Sequence, residues 1–135
     1  RLQSSVLDSN PDLVIWQLGT NTVVRGEDSS GVASLVEAGV AKIQAAGADV
    51  VLIDPQYVPA VTAKKEGANK MVKLIRDVGR LRHVSVFPRF EVMRHWYEDK
   101  ALGFETFSIA DVKRATVRLS VEGEDGFQGG LPAGR

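Results

Sequence analysis

Apolar residues fall along the chain in two alternating rhythms. Residues 12–18 carry Leu13, Val14, Ile15, Trp16 and Leu18 almost without interruption and stop at Gly19. A short continuous run of this kind predicts a strand buried on both faces. Residues 49–54 repeat it with Val50, Val51, Leu52 and Ile53 before Pro55, and residues 83–87 repeat it before Pro88. Between the runs the spacing becomes helical. Val32, Leu35, Val36, Val40 and Ile43 share one face of a helix over 31–46, with Gly47 as its C-terminal stop. Ala68, Met71, Val72, Ile75 and Val78 line a helix over 65–82, with Lys70, Lys73, Arg76 and Asp77 toward water. Phe90, Met93, Trp96 and Tyr97 face inward on a helix over 89–100. Residues 1–10 read as the end of a helix stopped at Asn10-Pro11, and 19–30 and 55–64 read as loops, with Asp28, Ser29 or Ser30 placed to cap the next helix.

Strands alternating with helices predict a parallel α/β sheet. The character changes after Asp111. Residues 115–121 alternate like a strand with one wet face, and 123–135 hold five Gly and one Pro, a flexible end. The expected organisation is an α/β domain over 1–111 and an atypical tail over 112–135. The abruptness of the change predicts a truncated or frame-shifted segment, and Arg1 in place of an initiator Met predicts a fragment or a processed product.

Composition narrows the chemistry. Of 135 residues 44% are hydrophobic and 25% charged, the mixture of an ordinary globular domain. Seventeen basic residues balance seventeen acidic ones, so no electrostatic drive toward nucleic acid exists. The absence of Cys excludes disulfides, thiolate metal sites and a cysteine nucleophile, and it fits either side of a bacterial membrane. Two His do not make a metal centre, and no cofactor is expected. No apolar run approaches the ~18–20 residues of a membrane span. Neither Gly-x-x-x-x-Gly-Lys-Ser/Thr nor Gly-x-Gly-x-x-Gly occurs, so a nucleotide site has no support.

Ligands of open parallel sheets bind beyond the carboxyl ends of the strands. Those ends are Gly19-Thr20-Asn21, Asp54-Pro55-Gln56 and Phe87-Pro88-Arg89. The segment Pro11-Asp12-Leu13-Val14-Ile15-Trp16-Gln17-Leu18-Gly19-Thr20-Asn21 resembles the Gly-x-Asn-Asp block of the SGNH (GDSL-like) hydrolases, with Thr22 where Asp is usual. The later strands, the 89–96 helix and the 104–111 segment follow the same order, so the resemblance covers roughly 1–111. It implies a three-layer, flavodoxin-like sheet, incomplete at about three parallel strands, and esterase-like or lipase-like acyl transfer on a small ester substrate. It also implies that Gly19 and Asn21 are oxyanion-hole donors. A carboxamide can fill that role with no protonation requirement. A turn using the tolerance of Gly and Asn for positive φ is the alternative.

Two departures weaken the catalytic reading. No Gly-Asp-Ser occurs, and the Gly26–Gly31 stretch with Ser29 and Ser30 lacks the spacing of a nucleophile elbow. The family's Asp-x-x-His block reads Asp111-Val112-Lys113-Arg114, and Arg, which stays protonated, is no general base. Asp111 keeps the place of the carboxylate that would orient the missing imidazole, or it simply pairs with a nearby cation. His83 falls at the amino end of its strand and His95 on a helix face, so neither a Ser nucleophile nor a His base is identified. The expected protein is an SGNH-type hydrolase by descent, impaired as this chain. The alternative is a non-catalytic α/β module that self-associates or binds a partner through its exposed sheet edge. A homo-oligomer through the edge of strand 12–18 or the adjoining apolar face is expected, unless the tail strand covers that edge.

Overall fold

The structure is a computed structural model and describes residues 2–100. Three strands, β1 (Leu13–Gln17), β2 (Asp49–Ile53) and β3 (Ser85–Phe87), form one sheet in the order β1-β2-β3. Both pairings are parallel, with Leu13 opposite Asp49 and Gln17 opposite Ile53, then Val51 opposite Ser85 and Ile53 opposite Phe87. The apolar runs thus form strands where the sequence placed them, and β1 is an edge among the described residues.

The connecting helices explain the covered side of the sheet. In α3 (Val32–Ala45), Val36, Val40 and Ile43 are buried, and in α5 (Lys65–Arg82) the buried positions include Ala68, Met71, Val72, Ile75 and Val78. The two helices pack on each other, α3 against β2 and α5 against β3. They meet Val14, Val50 and Leu52 from the strands, and Val40, Ile43, Leu52, Met71 and Ile75 retain no exposed surface. Burying one such side chain contributes about 1.5–3 kcal/mol. Close approach is possible because a Cβ on Gly39 would collide with the Trp16 ring and one on Gly79 with Val86. The helix α3 ends at Ala45, and Gly47 follows with φ +83°, the left-handed turn expected of it.

Several expectations are corrected. The strand 12–18 is not buried on both faces among the described residues: Val14 is buried, whereas Leu13 and Ile15 remain 51% and 60% exposed. A strand's side chains alternate between faces, and the described helices cover one of them. Leu35 is 72% exposed rather than inward, because it lies off the stripe that meets the sheet. On α6 (Arg89–Glu98) only Phe90 is fully buried, while Met93, Trp96 and Tyr97 are half-buried. Residues 2–10 form a short helix α1 (Leu2–Ser5) and a 3₁₀ turn (Leu7–Ser9), closed by Asn10 at φ 51°. The expected loops each contain a helix: α2 (Thr20–Arg25) and α4 (Pro59–Thr62). Both are too short to show a period, and each buries one Val, Val23 and Val61. The cap of α3 is Gly31, with no side-chain cap bond; Asp28 instead accepts from the Ser30 N–H at 2.9 Å. The tail, Asp111 and the expected strand 115–121 lie outside the described residues.

Candidate active site at the carboxyl ends of the strands

The first strand leaves the sheet through Gly19, whose φ of +84° is open to glycine and strained for other residues. Space demands glycine as well: a Cβ here would collide with the Met71 side chain and press on Pro55. Gly19 caps α2, and its carbonyl accepts the Val23 N–H at 3.0 Å. The turn therefore carries Gly19, Thr20 and Asn21 together onto the rim. Asn21, in the first turn of α2, is exposed. Among the described residues, neither the Gly19 N–H nor the Asn21 carboxamide has a hydrogen-bond partner. Two donors on one turn, unpartnered among the described residues, are chemically suited to an anionic oxygen.

Behind this turn lies a polar network centred on Arg89. Its Nε donates to the Asp54 carbonyl at 3.0 Å and its Nη1 to Gln17 Oε1 at 2.9 Å. Its Nη2 reaches Thr20 Oγ1 at 3.5 Å, and the same hydroxyl accepts the Gln56 N–H at 3.1 Å. One half-buried guanidinium thus joins the ends of β1 and β2 to the start of α2. Burial draws Arg89 below the usual arginine value, with the Asp54 carboxylate opposing that shift.

Asp54 is fully buried. Its Oδ1 accepts the Phe90 N–H at 2.7 Å and so caps α6 from another segment. Its Oδ2 has no hydrogen-bond partner and stands 3.6 Å from Arg76 Nη2. Arg76, expected to face water, turns inward to this carboxylate. Desolvation raises Asp54 above the ordinary carboxylate value, and the Phe90 N–H and Arg76 only partly offset it.

The expected site residues are therefore distributed plainly. Gly19 and Asn21 sit in one turn at the rim, and Asp111 lies outside the described residues. His83 precedes β3 at the opposite end, exposed and with φ 55°. His95 is exposed on α6 and pairs with Asp99 one turn on at 2.5 Å. Ser30 is engaged with Asp28. No cluster of His, Cys, Asp or Glu able to hold a metal occurs among the described residues. The role of Arg89 was missed from sequence; the available signal was a cation immediately after the Pro that ends an apolar run.

A parallel α/β sheet with its loops gathered at this rim is the fold of known acylhydrolases. The structure is similar to the crystal structure of a lipase/acylhydrolase from Enterococcus faecalis, with TM-score 0.67 and 21% identity, covering 93% of this chain and 67% of that one. It is also similar to a catalytic mutant of an acetylxylan esterase from Geobacillus stearothermophilus, with TM-score 0.65 and 14% identity, covering 87% of this chain and 63% of that one. The chain thus spans about two thirds of each neighbour. No curated protein matches the sequence. The Non-GDSL lipase-like family model matches residues 1–120, and the chain belongs to that family. The resemblance read from the Gly-Thr-Asn block and the order of strands is borne out at the level of family and fold.

Proposed function

We propose that this chain carries the oxyanion-binding rim of an SGNH-type ester hydrolase acting on a small acyl ester. The observation that supports this most is the turn at Gly19: at the carboxyl end of a parallel strand it carries an exposed carboxamide and a backbone N–H that have no hydrogen-bond partner among the described residues. In the reaction a serine oxygen attacks the ester carbonyl as a base takes the hydroxyl proton, the tetrahedral intermediate expels the alkoxide, which leaves with that proton, and water later releases the acid and restores the serine. The Gly19 N–H and Asn21 Nδ2 donate to the oxygen that becomes negative in the tetrahedral intermediate. By the resemblance, Asp111 keeps the place of the carboxylate that orients a general-base imidazole in the family. With no Gly-Asp-Ser and with Arg114 at the imidazole position, turnover by this chain is expected to be weak or absent.

Hydrolysis of short p-nitrophenyl esters by the purified protein tests the reading. Asn21→Ala lowers kcat by about 10²–10³-fold if the carboxamide stabilises the oxyanion. Turnover that is untouched by Asn21→Ala overturns the assignment. A second reading is favoured by a separate observation: Leu13, Ile15 and Phe87 stay exposed on one face of the sheet. On that reading the chain is a non-catalytic module, and two copies associate through this face or the β1 edge. A protein without esterase activity whose mass by light scattering is that of a dimer favours it.

A further inference from the structure

The Gly19–Asn21 turn is built from parts that do not hold themselves in place. Glycine is conformationally permissive, and a helix as short as α2, six residues, is not stable alone. Oxyanion donors, in contrast, act only at 2.7–3.1 Å from the developing charge, and a misplacement of about 1 Å can cost 10²-fold. Met71 and Pro55 press on Gly19 from the core side. On the polar side, the side-chain hydrogen bonds to the turn converge on one atom, Thr20 Oγ1, which lies between the two candidate donors in sequence.

We propose that Arg89 and Thr20 form a positioning lock for this turn. Arg89 acts through Thr20 to fix Gly19 and Asn21 against the ends of β1 and β2; the use of the fixed turn as an oxyanion site rests on the reading given above. The geometry requires arginine. Its planar fork serves three acceptors on three segments, Asp54 O, Gln17 Oε1 and Thr20 Oγ1, whereas lysine presents its donors from a single nitrogen. The bonds to Asp54 and Thr20 are part-buried, which limits competition from water, whereas the bond to Gln17 is exposed. The hydroxyl is required as well, because Thr20 also accepts the Gln56 N–H and so ties the turn to the loop after β2. Arg89 itself needs no contact with substrate. It is a positioning residue, and Asn21 is the group it serves.

The test is nuclear magnetic resonance on the ¹⁵N-labelled full chain. It reads hydrogen exchange at the Val23 N–H, which closes the first turn on Gly19, and the side-chain signals of Asn21. In Thr20→Val and Arg89→Gln the Val23 exchange accelerates roughly tenfold, the factor expected for one lost hydrogen bond. The Asn21 carboxamide signals broaden or shift, while amide exchange at Leu52 and Ile75 stays as in the parent. Thr20→Ser, which keeps the hydroxyl, restores the parent spectrum. A merely structural role does not produce this local signature at an unchanged melting temperature. If Arg89→Gln loses protection throughout the core, Thr20→Val decides. Val23 exchange and Asn21 signals unaltered in Thr20→Val, or unrestored by Thr20→Ser, overturn the lock. The ester reading fails separately: ester turnover indifferent to Asn21→Ala removes the oxyanion role and leaves the exchange results, and the lock, standing.

Discussion

The two faces of the sheet are written in the same kind of residue and end in different states. On one face Val14, Val50 and Leu52 disappear beneath α3 and α5. On the other, Leu13, Ile15 and Phe87 stay about half exposed. Their sequence neighbours are alike, so hydrophobicity does not separate them. The separation is made by what arrives on top, and the small residues Gly39 and Gly79 admit the helices to the covered face. An apolar strand residue therefore stabilises this domain only to the extent that another element reaches it.

Three experiments test this contrast. Leu52→Ala costs the most: Leu52 has no exposed surface, and a loss of about 2–5 kcal/mol in urea unfolding follows from lost transfer and the residual cavity. A loss below that of an exposed substitution denies the covered layer its role. The middle effect belongs to Asp54, the charged residue buried in that layer. Its folded pKa is raised above the ordinary 3.8, so the folded state binds this proton more tightly than the unfolded chain. Its contribution to stability is fully present below about 3.8 and is lost as pH rises through the folded value. The urea midpoint of Asp54→Asn measured against pH lacks this decline; an identical profile in variant and parent rejects it. The smallest effect is Ile15→Gln, within about 0.5 kcal/mol for a side chain 60% exposed. A larger loss that grows with protein concentration means that a second copy covers the open face.

Periodicity and run length made the main architecture readable. The strands lie where continuous Val, Leu and Ile runs end in Gly or Pro, and α5 follows its five apolar positions faithfully. Short elements escaped because four to six residues span fewer than two helical turns and so show no repeat, as in α2 and α4. Burial on both faces was over-read from β1, since a continuous apolar run records what a strand tolerates and not what packs on it. At the rim, the Gly-Thr-Asn segment was visible as a motif. The Arg89 network was not, because its acceptors lie 35, 69 and 72 residues away and meet it only through the parallel register of the strands. Arg76 was misread for the same reason: its partner is a carboxylate on a different element.

The packing of Met71 onto Gly19 has a consequence for mutational scanning. Every side chain tried at position 19 will collapse the turn for steric reasons, and the site will score as intolerant whether or not its nitrogen meets a ligand. A semisynthetic chain with glycolic acid at that position swaps one peptide link for an ester, replacing the N–H donor by an oxygen while keeping the backbone shape and adding no side chain. Such atomic surgery is what can separate a residue kept for its emptiness from one kept for its N–H.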